Sequence, residues 1–334
     1  MTQLQVTTTD VHRKSFVPVP VDVFTADGLL DFALYIRRAG NDITLACPAG
    51  EPLPQKLLNE CRTSGLQVLY VDTAEHRKYQ KHAEAALTAM IHRDDVPTKR
   101  KAELCYHTTR ELVKNAVESS HVDTFVGERR ELWATNLVTL ILSDETAVDG
   151  MVSMLSHDYY TYTHMVNVSV MVSALAYRLG ERDPNRLRML ASGGLLHDVG
   201  KMRINPDTLN KVGRLTGQEW EELRSHPNLG LSFLHNRQGI EPQELMMVYQ
   251  HHEKLDGSGY PSGLCGSEIS VEAQMTAVVD IYDALTCKRP YRSAMTHEKA
   301  CGILDEEAAR KINAEFVAAW KETINRALAE GRKE

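Results

Sequence analysis

The chain has 334 residues, 43% of them hydrophobic and 25% charged, with a formal net charge of -7. That length exceeds one ordinary core and suits two domains of roughly 100–200 residues, and the composition excludes a chain dominated by disorder. The acidic balance excludes a general binder of polymeric nucleic acid, which needs a basic surface to displace counterions from phosphates.

The longest strongly apolar stretch, Leu132 to Leu142, falls short of the roughly 20 residues a bilayer requires, and the amino terminus lacks a signal-peptide pattern. The expectation is a cytoplasmic protein with no membrane partner. Six cysteines (Cys47, Cys61, Cys105, Cys265, Cys287 and Cys301) are scattered without a CxxC pair, so they are read as reduced, mostly buried thiols rather than a zinc finger or a disulfide framework.

Residues 16–75 alternate short β-like runs with turn signals: Phe16 to Val19, Phe32 to Ile36, Ile43 to Ala46 and Gln67 to Val71, with a helix over Pro54 to Thr63 ended near Gly65. A small α/β domain is expected over 1–75. From His76 the pattern turns helical and polar, with a break at Asp94-Asp95-Val96-Pro97 and an N-cap at Thr98. A helical connector is expected over 76–125, whose apolar positions Leu104, Leu112 and Ala116 face either a partner chain, giving a homodimer, or the connector's own domain.

After Phe125 nearly every segment reads as helix, and no convincing strand appears: 130–143, 146–156, 160–179, 184–198, 217–235, 242–252, 270–286, 297–308 and 312–330. An all-α domain is therefore expected over 126–334, and the fold class overall is α+β.

The chemistry-bearing residues cluster in this helical part. His197-Asp198 closes an apolar run, and adjacent helical residues diverge by about 100°, so the two side chains can face different ions. The same two letters at His157-Asp158 precede a helix, where Asp158 serves as an N-cap. His164 shares the buried stripe of Val168, Met171 and Leu175, a place that suits a core histidine as readily as a ligand. His226 alone reads as a surface histidine. His251 and His252 follow the apolar stretch Leu245 to Tyr249, which buries unpaired imidazoles unless something binds them. Asp280 sits mid-helix in Ala277-Val278-Val279-Asp280-Ile281-Tyr282, a poor place for a carboxylate without a compensating cation.

Taken together, His197-Asp198 with Gly200-Lys201, His251-His252-Glu253 with Asp256-Gly257 and Gly259-Tyr260-Pro261, and Asp280 with Asp283-Ala284-Leu285 and Arg289-Pro290-Tyr291-Arg292 closely resemble the HD-GYP family of bacterial cyclic di-GMP phosphodiesterases. The resemblance covers roughly residues 130–330. It implies an HD-type helical catalytic domain with His164, His197, Asp198, His226, His251, His252 and Asp280 as metal ligands and Asp198 as the bridge. It also implies that Asp198 and Lys201 are catalytic, that Lys201 contacts the scissile phosphate, that Tyr260 lines the substrate pocket, and that Arg289 and Arg292 hold phosphates.

The implied cofactors are two divalent ions. Five imidazoles and two carboxylates without a thiolate suit iron, manganese or another borderline divalent transition metal better than a structural zinc, and two ions a few ångströms apart activate hydroxide for attack on a phosphodiester. The implied reaction is hydrolysis of cyclic di-GMP to linear pGpG and on to GMP. The alternatives are a preference for 3',3'-cyclic GMP-AMP and, from another class, a slow metal-loaded sensor of cyclic dinucleotides acting through protein interactions. Diguanylate cyclase-type partners follow from the resemblance alone. Glu253, Asp256 and Asp283 are read as residues that fix imidazole tautomers or cap helices.

One departure concerns the metal count. Many family members carry a glutamate four residues before the first histidine, completing a third metal position. Tyr160 stands there instead, and a neutral phenol whose ring fills the space predicts two ions. The N-terminal domain lacks the acidic cluster and lysine of a receiver domain and has no phosphate loop or haem motif, so a regulatory or dimerisation role is expected from its position alone.

Overall fold

The computed structural model describes residues 15–37, 42–118, 125–155, 160–288, 293–308 and 310–331. The chain divides into two compact units, Met1–Asp95 and Val96–Glu334. The α+β architecture holds, with the strands in the first unit and a helical second unit.

In the first unit four strands, β1 (Phe16–Pro20), β2 (Leu34–Arg37), β3 (Ile43–Cys47) and β4 (Val68–Asp72), form one antiparallel sheet in the order β1-β4-β2-β3. Pro18 and Pro20 lie in β1, an edge strand, where a missing backbone N–H breaks no ladder between two neighbours. Alternation sorts the faces. Tyr35 and Tyr70, paired across β2 and β4, form a cluster with Ala33, Phe16 and Ile43, while Leu34, Leu69 and Val71 are buried on the opposite face. Helices α1 (Gln55–Thr63) and α2 (His76–Ile91) complete the unit. On α2, Tyr79 and His82 pack against Phe24 and Phe32.

The region expected as a connector is divided between the units. α2 belongs to the first, and α3 (Thr98–Glu118), which starts at the expected cap, belongs to the second. Leu104, Leu112 and Ala116 are buried. They are covered by this chain's own helices, because α3 packs on α4 (Arg130–Ser143), α5 (Glu145–Ser153) and α6 (Thr161–Arg178). The apolar face that suggested a homodimer is thus already filled.

The remaining helices are α7 (Pro184–Leu196), α8 (Pro206–Leu209), α9 (Gly217–Arg224), α10 (His226–Leu234), α11 (Pro242–Gln250), α12 (Val271–Thr286), α13 (His297–Glu307) and α14 (Ala314–Gly331). The centre is α6, buried from Thr163 to Ala176 and packed on α3, α7, α12 and α14. Its neighbours start at local signals: Asp183 accepts from the Asn185 backbone and Pro184 fills the first turn of α7, while Ser270 caps α12 through the Ala273 N–H.

Two boundaries differ from expectation and both matter to the site. The segment read as one helix over 217–235 breaks at Ser225, because Pro227 lacks the N–H that would continue the ladder and fits only a first helical turn. The helix expected to reach 198 ends at Leu196, and the chain enters a tight turn over Val199–Arg203.

One buried cation ties α4, α7 and α11 together. The Arg130 guanidinium donates to the Val126 and Gly239 carbonyls at 3.0 and 2.6 Å, to Glu131 at 2.7 Å, and to Ser192 and Glu244. Five of the six cysteines are buried and Cys265 is exposed, all as free thiols. Among the described residues no helix is long and apolar enough to cross a membrane.

Candidate metal centre

Five segments bring the expected ligands together: His164 from α6, His197 and Asp198 from the end of α7, His226 from the first turn of α10, His251 and His252 from the end of α11, and Asp280 from the middle of α12. They fall into two groups whose ligand atoms lie within 4.8 Å of one another, Asp198 with His226, His251 and His252, and His164 with His197 and Asp280. Asp198 spans them. Its Oδ1 is 3.2 Å from His226 Nε2, and its Oδ2 is 3.3 Å from His164 Nε2.

Backbone geometry explains the meeting of distant segments. A Cβ at Gly200 would lie 1.9 Å from the His226 carbonyl oxygen and 2.6 Å from the Gly230 nitrogen, so only glycine lets the turn after Asp198 lie against α10. The break at Ser225 then aims His226 inward, where a continuous helix would have carried it past.

Tautomers follow from the anchors. His197 Nδ1 donates to the Gly194 carbonyl at 2.7 Å, His226 Nδ1 to Leu223 at 2.8 Å, and His251 Nδ1 to Val248 at 3.0 Å. His164 Nδ1 lies 2.7 Å from Asp283 Oδ2. A carbonyl only accepts, so the Nε2 atoms of His197, His226 and His251 carry lone pairs, and the carboxylate of Asp283 gives His164 the same form. Those lone pairs converge: His164 and His197 Nε2 are 3.2 Å apart, as are His226 and His251 Nε2.

Burial pushes His197 below the usual imidazole range, drives His251 down to about 3, and pushes His252 well down. For Asp198 burial opposes ionisation most strongly, yet the Lys201 ammonium paired with it and the surrounding histidines together outweigh that penalty and hold the carboxyl well below its ordinary range. At Asp280 burial is likewise outweighed, by His164 first. The buried Asp198 Oδ1 accepts no hydrogen bond among the described residues. Facing lone pairs and an orphaned carboxylate oxygen are costly in a protein interior unless a cation sits among them. The donor set therefore fits two divalent ions.

The other candidates take varied places. Lys201 adjoins the cluster through Asp198. Tyr260 stacks on His252 with centroids 4.7 Å apart, and the Arg224 guanidinium lies 4.7 Å from the same ring. The Glu253 carboxylate accepts from the Ser262 and Leu264 backbone at 2.7 and 3.1 Å and pins the loop carrying Tyr260. In that loop a Cβ at Gly259 would sit 2.4 Å from the Lys254 nitrogen. Asp256 accepts from Ser258 within the loop. Arg289, Arg292, His157 and Asp158 lie outside the described residues.

The expectation that Tyr160 plugs a third metal position is corrected. Tyr160 is 58% exposed and stacks on Tyr162 with centroids 5.2 Å apart, because at the helix start its side chain leaves the buried stripe of α6. Reading the sequence also passed over Asn167, Tyr106 and Arg224. Asn167 had a signal in lying one helical turn after His164; Tyr106 and Arg224 had none.

Matched with known families, the chain belongs to the HD domain family, whose pattern spans residues 139–316. Among curated proteins it is 36% identical over 185 residues to the cyclic di-GMP phosphodiesterase PA4108 of Pseudomonas aeruginosa, covering 55% of this chain and 42% of that protein. It is 37% identical over 168 residues to 3'3'-cGAMP-specific phosphodiesterase 3 of Vibrio cholerae, covering 50% of this chain and 36% of that protein. The chain thus spans less than half the length of these relatives. Among solved structures, Bd1817, an HDG"Y"P protein from Bdellovibrio bacteriovorus, matches 93% of this chain and 100% of its own with a TM-score of 0.66 and 19% identity, a likeness of fold.

Proposed function

We propose that this chain is a metal-dependent phosphodiesterase for a cyclic dinucleotide, with cyclic di-GMP as the leading substrate and linear pGpG, then GMP, as products. The observation that carries the reading is the pair of adjoining ligand groups sharing Asp198. Two ions there, iron or manganese by donor type, would supply Lewis acidity toward phosphodiester oxygens and activation of the attacking water.

The chain's own residues do the rest. His164, His197 and Asp280 hold one ion, His226, His251 and His252 the other, and Asp198 serves both. Lys201, which pairs with Asp198, is assigned to a phosphate oxygen, and Tyr260, stacked on His252, to the border of the substrate. Arg289 and Arg292 are assigned to the phosphates. The N-terminal unit is assigned a regulatory role, and the protein to the cytoplasm.

Turnover of manganese- or iron(II)-loaded protein against cyclic di-GMP and 3',3'-cyclic GMP-AMP tests this, since relatives named for each match at similar identity. Cleavage of cyclic di-GMP is expected. Asp198→Ala should abolish metal occupancy and turnover together, whereas Arg292→Ala should raise KM with metal content intact. A fully loaded protein that cleaves neither dinucleotide would leave the sensor reading in its place.

A further inference from the structure

We propose that Tyr106, on α3, is a positioning residue for His164, acting through Asn167 and Asp283; the inference rests on the metal site proposed above. Three hydrogen bonds of equal length form the relay. The Tyr106 hydroxyl donates to Asn167 Oδ1 at 2.7 Å, Asn167 Nδ2 donates to Asp283 Oδ1 at 2.7 Å, and Asp283 Oδ2 accepts from His164 Nδ1 at 2.7 Å. All four side chains are buried.

The relay fixes directions as well as contacts. Asn167 sits fully buried in α6, where an amide is tolerated only when its groups are bonded. Turned over, it would set Oδ1 against the Asp283 carboxylate, so the phenol donor and the carboxylate together select one orientation. Asp283 Oδ1 is then taken by Asn167, while Oδ2 faces the His164 proton and also accepts from the Cys287 thiol at 3.4 Å. That leaves the His164 Nε2 lone pair facing His197 and Asp280.

His164 differs from its neighbours in this respect. His197, His226 and His251 are anchored by carbonyls three residues back in the chain, which move with the ligands themselves. His164 is anchored by a side chain of α12, steadied by an amide of α6, steadied in turn by a phenol of α3. The ion held by His164, His197 and Asp280 is therefore sensitive to the seating of α3, the first helix of the second unit, and the ion held by His226, His251 and His252 is not.

The test is a manganese titration of metal-depleted, full-length protein followed by electron paramagnetic resonance, with thermal melts in parallel. Tyr106→Phe keeps the ring and removes the hydroxyl; it should weaken one of two ions about tenfold, the low end for loss of a partner behind a ligand, and leave the other unchanged. Asn167→Leu should weaken the same ion at least as much, and the double variant should match Asn167→Leu alone, since both cut one chain of contacts. Thr109→Val removes a buried hydroxyl of α3 that donates to the Cys105 carbonyl at 2.8 Å, away from the relay, and should leave both affinities unchanged. Unaltered affinities in Tyr106→Phe would overturn the relay, as would equal weakening of both ions or the same loss in Thr109→Val. Wild-type protein that binds fewer than two manganese ions would instead sink the site reading itself.

Discussion

Replacing Gly200 by alanine strikes the site without touching a ligand. The added Cβ would lie 1.9 Å from the His226 carbonyl oxygen and 2.6 Å from the Gly230 nitrogen, both backbone atoms that no rotamer change can move. Restoring ordinary contact requires the turn and α10 to part by roughly 1.5 Å. Overpacking of this kind costs about 3 kcal/mol, which for a unit of this size lowers Tm by roughly 6–12 °C. The same displacement separates Asp198 from His226, now 3.2 Å apart across a ligand group, whereas metal–ligand distances tolerate only about 0.2 Å. Gly200→Ala should therefore lose an ion as well as stability. Calorimetry of the metal-free protein and elemental analysis of the loaded one measure the two effects separately. A variant with unchanged Tm and full metal content would show that Gly200 does not hold the turn against α10.

Acid should destabilise the metal-free protein early. His251 is held down to about 3 by burial, so below about pH 6.5 the unfolded imidazole takes up a proton that the folded one refuses. Stability then rises with pH between those values and is flat above them, with a loss of about 2 kcal/mol from His251 alone between pH 6.5 and pH 5; urea melts that superimpose over that window would contradict it. Arg130→Met strands the buried Glu244, whose carboxyl burial already pushes up, and should cost about 3–5 kcal/mol, with part regained in Arg130→Met/Glu244→Leu. Absence of that recovery in thermal melts would mean that packing, rather than charge, sets the loss. A chain beginning at Val96 should fold and keep its metals, whereas one beginning at Val126 loses the buried Leu104, Tyr106 and Val113 of α3 and should melt at lower temperature; equal melting temperatures would place the boundary after α3.

Strands and most helices were legible in the sequence because their signals are local. The alternation of Tyr35 with Leu34 sets the faces of β2, and Thr98, Pro184 and Ser270 mark helix starts. What escaped depends on contacts remote in sequence. Pro227 falls inside a long helical pattern, and its consequence, a reoriented His226, appears only when α10 meets the turn at Gly200. Leu104 and Leu112 displayed an apolar face but not its occupant, which is α6 and its neighbours. The spacing of Tyr160 to His164 points to the cavity, yet a residue at a helix start need not share the direction of the turn that follows. The seven proposed ligands were found by motif, whereas Arg130 and Tyr106 are polar residues within ordinary helical patterns, and only their partners, far along the chain, give them meaning.

The spread of the ligand groups along the chain has a kinetic consequence. No short segment contains either group: one draws on α6, the end of α7 and α12, the other on the end of α7, α10 and α11. A partly folded chain thus offers an ion one or two donors, and binding free energy is gained only after the last of these helices docks. Ions of this kind act after the folding transition state, so they leave the rate of folding nearly unchanged and slow the rate of unfolding. The loaded protein would owe its persistence to a latch that closes last and has to open first.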